Sequence, residues 1–301
     1  MSGPRAFVKD RPFYEGDVAD RQLLRRIVND HHDIEATVHM AARIVVPESV
    51  AQPYLYYREN VAKSFELFDE LVALGKPRVL FSSSASLYAL PDAGFEVTEE
   101  SALAPQSPYA RTKRMIEQAL EDMSHATDLR AVILRYFNPI GADPQLRTGV
   151  YVQEPSHVLG QLVLAATGQK EAFTITGVDH PTRDGTGIRD YIHVWDLAQA
   201  HVAALEQFDS ALARSESSAL IMNVGTGEGV TVRELVSAFE QVHGTRIPIR
   251  ESAPREGDAI GSYANVDKIS QEIGWHARRS IEDAIGSALA WQVSRRRILG
   301  Y

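Results

Sequence analysis

The stretch SPYARTKRMIEQALEDMSHATDLRAVILRYFN, residues 107–138, decides the fold. Its first part, through Thr127, reads as a helix, and LRAVILRYFN (129–138) reads as a strand. Working backwards, PRVLFSSS (77–84) is a strand that runs into small polar residues. PYLYYRENVAKSFELFDELVALG (53–75) is a long helix ended by Gly75, DIEATVHMA (33–41) is a buried strand, and ADRQLLRRIVND (19–30) is a helix. Strands alternating with helices in this way predict an α/β fold with a parallel sheet covered on both faces. Ligands of such sheets sit beyond the carboxyl ends of the strands. Three of those ends carry polar or small residues here: HMAA (39–42), SSSAS (82–86) and RYFN (135–138).

The character changes after Asn138. PIGADPQLRTGVYVQEPS (139–156) is rich in Pro, Gly and polar residues and reads as a loop and a boundary. Shorter elements follow: helical HVLGQLVLAATG (157–168), strand AFTIT (172–176), loop HPTRDGTG (180–187), helix VWDLAQAHVAALEQF (194–208), strand SALIMNVG (218–225) and helix TVRELVSAFEQVHG (231–244). The expected organisation is a first domain over residues 1–140 and a smaller one over 141–301, with 185–200 and 219–243 returning to the first. A ligand belongs in the cleft between them.

Composition limits the function. A net charge of −9 over 301 residues argues against a nucleic-acid partner. The absence of cysteine excludes disulfides, thiolate metal sites and a cysteine nucleophile, and it fits a cytoplasmic protein. No apolar run approaches the ~20 residues that span a membrane. The opening MSGPRAFVKDRPFYEGD (1–17) lacks the apolar core of a secretory signal.

Tyr109 and Lys113 lie four residues apart and so share a helix face. A tyrosine needs its pKa of ~10 lowered to act as a base near neutrality, and a nearby cation favours the phenolate; Lys113 and an oxidised nicotinamide together could supply the lowering. Among 11 tyrosines one such spacing is unremarkable alone. Its position on the next helix after a strand ending in Ser82, Ser83 and Ser84 makes it a candidate redox pair, with a serine holding a substrate hydroxyl against Tyr109. A dinucleotide then needs a strand, a glycine loop and a helix to receive its pyrophosphate. Nothing before Asp17 provides them. VGTGEGVTVREL (224–235) imitates such a loop, but Val230 stands where the third glycine belongs. Thr231 and Glu234 form a capping box that accounts for the helix start without a ligand. Arg189 and Arg255 suit a diphosphate clamp. The bland alternative pairs them at the surface with Asp190 and Asp258. His193 and His201 read as structural, and DHHD (30–33) as a solvated turn, so no metal is expected.

With these pieces assembled, the chain resembles the UDP-glucose 4-epimerases of the extended short-chain dehydrogenase/reductase family, from about Phe13 to its end. EGDV, VHMAA, FSSSASLY, PQSPYARTK, LRYFNPIGA, DGTGIRDYIHVWDLAQAH, NVGTGEG and PREGD carry the resemblance. It implies a Rossmann-like parallel sheet binding NAD, here N-terminally incomplete, and a smaller UDP-sugar domain. It implies Tyr109 as acid/base, Lys113 as its helper, and Ser84 on the sugar hydroxyl. Cofactor-side positions are Asp17, Val18, Met40, Ala41, Ala42, Asn60, Ser82, Tyr136 and Phe137, besides Tyr109 and Lys113. Substrate-side positions are Asn138, Val158, Thr174, Thr176, Arg189, Arg255, Asp258 and Ser262, besides Ser84.

The implied reaction oxidises C4 of the sugar, turns the flat 4-ketosugar over, and reduces it from the other face. Ala85 stands where dehydratases of the family carry an acid, which disfavours elimination of water. Departures are the missing first strand, glycine loop and second strand, together with Ile44, Pro47, Ala89 and His157 in place of usual residues. Ser262 is small where bulk limits the sugar's 2-substituent, so UDP-N-acetylhexosamines become plausible substrates. The family also suggests a homodimer through the helices bearing Phe65 and Met115. Two alternatives stand beside an epimerase: a relic that binds UDP-sugar or a partner but not NAD, and another NAD-dependent sugar nucleotide enzyme of the same family.

Overall fold

The computed structural model describes residues 4–8, 11–91, 94–254 and 260–300. Helix α1 (Arg21–Asp30) is capped by Asp20, whose carboxylate accepts from the amides of Gln22 and Leu23. The edge strand β1 (Thr37–His39) follows, then α2 (Val46–Ala51) and α3 (Pro53–Tyr56). A π-helical stretch, Tyr57–Ala62, runs on into α4 (Lys63–Ala73), and Gly75 follows at φ 66°. Next come β2 (Arg78–Ser82), a short 3₁₀ turn at Ala85–Leu87, and β3 (Glu96–Val97). Helix α5 (Pro108–Ala126) starts from an N-cap Ser107 with Pro108 in its first turn, and β4 (Arg130–Tyr136) follows it. The second half holds β5 (Asn138–Ile140), α6 (Val158–Ala166), β6 (Phe173–Thr176), β7 (Ile188–Arg189) and β8 (Tyr191–His193). Then come α7 (Val194–Glu206), α8 (Phe208–Arg214), β9 (Ala219–Val224), β10 (Val230–Thr231) and α9 (Val232–His243). Last are β11 (Ile249–Ser252), β12 (Tyr263–Ala264), α10 (Asp267–Ile273) and α11 (Ile281–Leu299).

The main sheet has the order β1-β2-β4-β9, with every pairing parallel. Successive residues of its strands face opposite sides. Leu80, Val132 and Leu134 pack with Leu197, Ala200 and Ala204 of α7, Phe208 of α8 and Ile269 of α10. Val79, Phe81, Ala131 and Ile133 pack with Leu67, Phe68 and Leu71 of α4 and Ile116 and Leu120 of α5. A separate cluster joins Leu159 and Leu162 of α6, Phe173 and Ile175 of β6, Leu235 and Phe239 of α9, and Ala284 and Ile285 of α11. Of the span 219–243, β9 therefore lies in the main sheet, whereas α9 packs in the separate cluster with α6, β6 and α11.

One expectation needs correction. The strand around Val38 is buried on one side only: it is three residues long, and His39 is 3% exposed, but Val38 is 37% and Met40 57% exposed. Its β2 side is paired, and among the described residues no strand pairs with its other side. Ile44 and Val50, both 65% exposed, extend this apolar margin. An open edge of this kind is a site for unwanted strand pairing.

The glycine loop after β9 also has a structural explanation. Asp190, fully buried between β7 and β8, accepts from Thr226 N at 2.8 Å, Thr226 Oγ1 at 2.8 Å, Gly227 N at 3.1 Å and Ala264 N at 3.2 Å. The loop amides thus hold a carboxylate of this chain in the way a phosphate would be held. A Cβ at Gly225 would lie 2.3 Å from Asp190 Oδ2, which explains glycine there. The capping box of Thr231 and Glu234 is formed as the sequence indicates. Asp190 is therefore no surface partner of an arginine. Asp190→Ala should lower unfolding free energy by about 3 kcal/mol, because several buried donors lose a charged acceptor. Urea titration tests this, and a loss under about 1 kcal/mol would refute the loop's dependence on the carboxylate.

Candidate active site

The site forms where α5 crosses the carboxyl ends of β2 and β4. Tyr109 and Lys113 both lie on the buried face of α5, at 8% and 2% exposure. Lys113 Nζ donates to the Ser82 carbonyl at 2.7 Å and lies 4.8 Å from the centroid of the Phe81 ring. The other two ammonium N–H bonds have no protein acceptor among the described residues. Burial pushes Lys113 down to about 8, with the Glu117 carboxylate opposing it. Ser84 lies two residues beyond β2, at the N-cap of the 3₁₀ turn. Its Oγ accepts from Ser86 N at 3.2 Å and lies 2.9 Å from Ser86 Oγ.

Lys113 alone does not lower the Tyr109 pKa. Burial pushes the phenol above its ordinary value, Tyr136 adds to this, and the Ser84 hydroxyl opposes it. Removing a phenolate from water outweighs what one helical turn of separation from Lys113 supplies. The resting pair is a protonated phenol beside an ammonium whose own charge is already disfavoured.

The other expected residues divide into two groups. Ser82 is wholly buried and committed: its carbonyl takes Lys113 and its Oγ lies 3.1 Å from His201 Nε2. Asn60 sits in the π-helical stretch, a feature common at functional sites. Its side chain accepts from Arg43 N at 2.8 Å and donates to Arg43 O at 3.0 Å and Thr112 Oγ1 at 3.1 Å. It thereby clamps the loop after β1 to the helix carrying Tyr109. Asp17 pairs with Lys63 at 2.5 Å and accepts from Ala19 N, with Val18 half-buried beside it. Phe137 is buried and stacks on Tyr88 at 6.4 Å between centroids.

Met40, Ala41, Ala42 and Tyr136 line the strand ends and remain partly or fully exposed. On the substrate side Asn138 is exposed, while Val158, Thr174, Thr176, Arg189 and Ser262 are half-buried. Thr174 and Thr176 flank the buried Ile175 on β6 and so share the face turned away from the core. Arg189 Nη1 donates to the carbonyls of Ile188 and Ile260. Arg255 and Asp258 lie outside the described residues.

Sequence reading missed the buried pair Glu117 and Arg135, joined at 2.9 and 2.8 Å. The signal was available in part: Glu117 continues the spacing of Tyr109 and Lys113 by a further four residues.

These residues suit the nicotinamide end of a dinucleotide. The half-used Lys113 ammonium matches ribose hydroxyls, and Ser84 and Tyr109 share a wall. The pyrophosphate end is different. The glycine loop of 225–229 is occupied by Asp190, and no second such loop occurs in the sequence. Among the described residues no group of acids or histidines could hold a metal.

A parallel α/β sheet with a Tyr–Lys helix against a serine-bearing strand end defines a short-chain dehydrogenase-like protein. The family model for the NAD dependent epimerase/dehydratase family matches residues 2–225, and the chain belongs to that family. A UDP-glucose 4-epimerase of Azospirillum brasilense is 40% identical over 290 residues, covering 96% of this chain and 81% of the relative. The enzyme of that name from Rhizobium meliloti (strain 1021) is 41% identical over 294 residues, covering 98% and 88%. Among solved structures, UDP-glucose-4-epimerase from Stenotrophomonas maltophila with bound NAD and formylated UDP-arabinopyranose superposes with a TM-score of 0.89. It shares 36% identity and covers 95% of this chain and 84% of that one. The UDP-Glc/GlcNAc 4-epimerase from Campylobacter jejuni gives 0.78, with 32% identity and coverage of 96% and 86%. The chain is an epimerase-type enzyme of this family.

Proposed function

We propose that this chain interconverts the C4 epimers of a UDP-hexose, UDP-glucose and UDP-galactose, with NAD held at the strand ends. The convergence of the buried Tyr109 and Lys113 with the half-buried Ser84 carries this reading. A bound dinucleotide supplies the means of taking and returning the C4 hydrogen. Tyr109 Oη removes the proton of the C4 hydroxyl and later returns it. Ser84 Oγ hydrogen-bonds that hydroxyl and aligns it with the phenol. The Lys113 ammonium favours the phenolate and holds ribose hydroxyls with its two remaining N–H bonds. Arg189 and Arg255 take the diphosphate. Val158, Thr174 and Thr176 border the uridine, with Asp258 on its ribose and Asn138 beside the sugar. Ala85, lacking an acid, keeps the site from eliminating water. Ser262 leaves room for an N-acetyl group. Phe65 and Met115, 40% and 41% exposed, suit a homodimer through α4 and α5. A cytoplasmic setting fits a chain in which no described helix is long and apolar enough to cross a membrane.

The open side of β1 and the loop occupied by Asp190 favour a second reading, a UDP-sugar binder that retains NAD poorly. One experiment separates the two. The purified chain is assayed with UDP-galactose with and without added NAD+, and cofactor per protomer is recorded. Turnover supports epimerisation. A folded protein that binds UDP and shows no turnover at saturating NAD+ sinks the first reading and supports the second.

A further inference from the structure

We infer that the buried Glu117–Arg135 pair, with Ser83, is a positioning device that keeps the Lys113 ammonium charged and fixed against the end of β2. This rests on the reading of Tyr109 and Lys113 as the catalytic pair.

Tyr109, Lys113 and Glu117 stand at successive i, i+4 positions along α5, and all three are buried. Glu117 Oε1 accepts from Ser83 Oγ at 2.6 Å. Ser83 lies between Ser82, whose carbonyl takes Lys113, and Ser84, the candidate substrate contact. One carboxylate therefore sets the helix against the two residues it must meet. From β4, Arg135 grips the same carboxylate by Nε at 2.9 Å and Nη2 at 2.8 Å, a bidentate fork. Arg135 Nη1 continues to Tyr88 Oη at 3.1 Å, and Tyr88 Oη donates to Asn223 Oδ1 at 2.6 Å on β9. The network spans three strand ends of the sheet and the turn after β2.

Stability alone does not account for such a pair. Well-packed apolar residues of similar volume stabilise an interior at least as well as a buried ion pair. They cannot place a carboxylate one helical turn from Lys113 with its compensating guanidinium groups behind it. The groups around Lys113 are Tyr109 and Glu117, one helical turn to either side on α5, His39 on β1, and the Phe81 ring and Ser82 carbonyl on β2. His39 is pushed down to about 3, by burial first and by the Lys113 charge second, and is neutral. Glu117 is the anion that works against burial at Lys113. Arg135 and Arg114, the latter 3.3 Å from Glu117 Oε2, stand behind it.

The test labels the six lysines of the chain with 13C at Cε and follows Lys113 through pH by NMR, assigned with Lys113→Met. In Glu117→Gln the Lys113 midpoint should fall by about a pH unit or more, a tenfold loss of proton affinity. In Ser83→Ala the charges remain, so the midpoint should hold while kcat drops about tenfold with KM nearly unchanged. A folded Glu117→Gln protein with the wild-type Lys113 midpoint overturns the inference. So does full kcat in Ser83→Ala. Should Glu117→Gln fail to fold, Ser83→Ala decides, and full kcat there overturns the inference. Full turnover in Tyr109→Phe would instead defeat the catalytic reading, and the lysine titration is independent of that result.

Discussion

Tyr109→Phe should lower epimerase turnover by about 10²–10⁴-fold while UDP-sugar affinity stays within roughly tenfold of wild type. The substitution deletes one oxygen from a side chain that is 8% exposed, so packing is retained and the loss reports chemistry. A proton-transfer group acts in the transition state, and its removal lowers kcat and kcat/KM together. The proposed diphosphate and uridine contacts lie on other elements and are untouched. The burial that raises the Tyr109 pKa makes its part sharper. The free phenol is a poor base, so the positive charges at Lys113 and on the bound nicotinamide must favour the phenolate. Steady-state kinetics with UDP-galactose, beside UDP binding by calorimetry, decides the matter. Turnover within threefold of wild type would remove Tyr109 from the mechanism.

The same residues show what the sequence could and could not reveal. Tyr109, Lys113 and the serines of β2 were legible because spacing and order along a βα unit fix where side chains emerge. Helix types were legible where one face is buried, as in α5 and α9, and β4 was legible as an apolar run buried on both faces. Three things were not legible. The exposure of Val38 depends on which strand lies beside β1, and apolar sequence alone does not specify a neighbour. The filling of the 225–227 loop by Asp190 joins residues about 35 apart in sequence, a distance at which no local pattern operates. The Glu117–Arg135 pair looks like two ordinary surface charges until the sheet buries them. A motif names the residues of a site, whereas burial sets their protonation. For that reason Lys113 alone leaves the buried Tyr109 phenol above its ordinary value.

Lys113 leads to the second large effect, this time on stability. Its pKa falls from 10.5 to about 8 in the folded protein because the ammonium is buried. Between those values the unfolded chain binds more protons at this position than the folded one does, so stability rises with pH across the window. Below pH 8 the whole penalty is present, and above 10.5 it has gone. Roughly two and a half units correspond to about 3 kcal/mol. Lys113→Met removes the titration and loses the hydrogen bond to the Ser82 carbonyl at every pH. Relative to this variant, wild type should therefore gain about 3 kcal/mol between pH 7 and pH 10.5. Other groups titrate in both proteins and cancel in the comparison. Denaturant unfolding of the two proteins at both pH values measures it, and an equal difference at pH 7 and 10.5 would show that Lys113 keeps an ordinary pKa. A protein that retains a charge at this cost near neutrality holds it for something other than folding. The ammonium beside Tyr109 supplies that use: the field that stabilises a phenolate is strongest where water is excluded, and water exclusion is what makes the lysine costly.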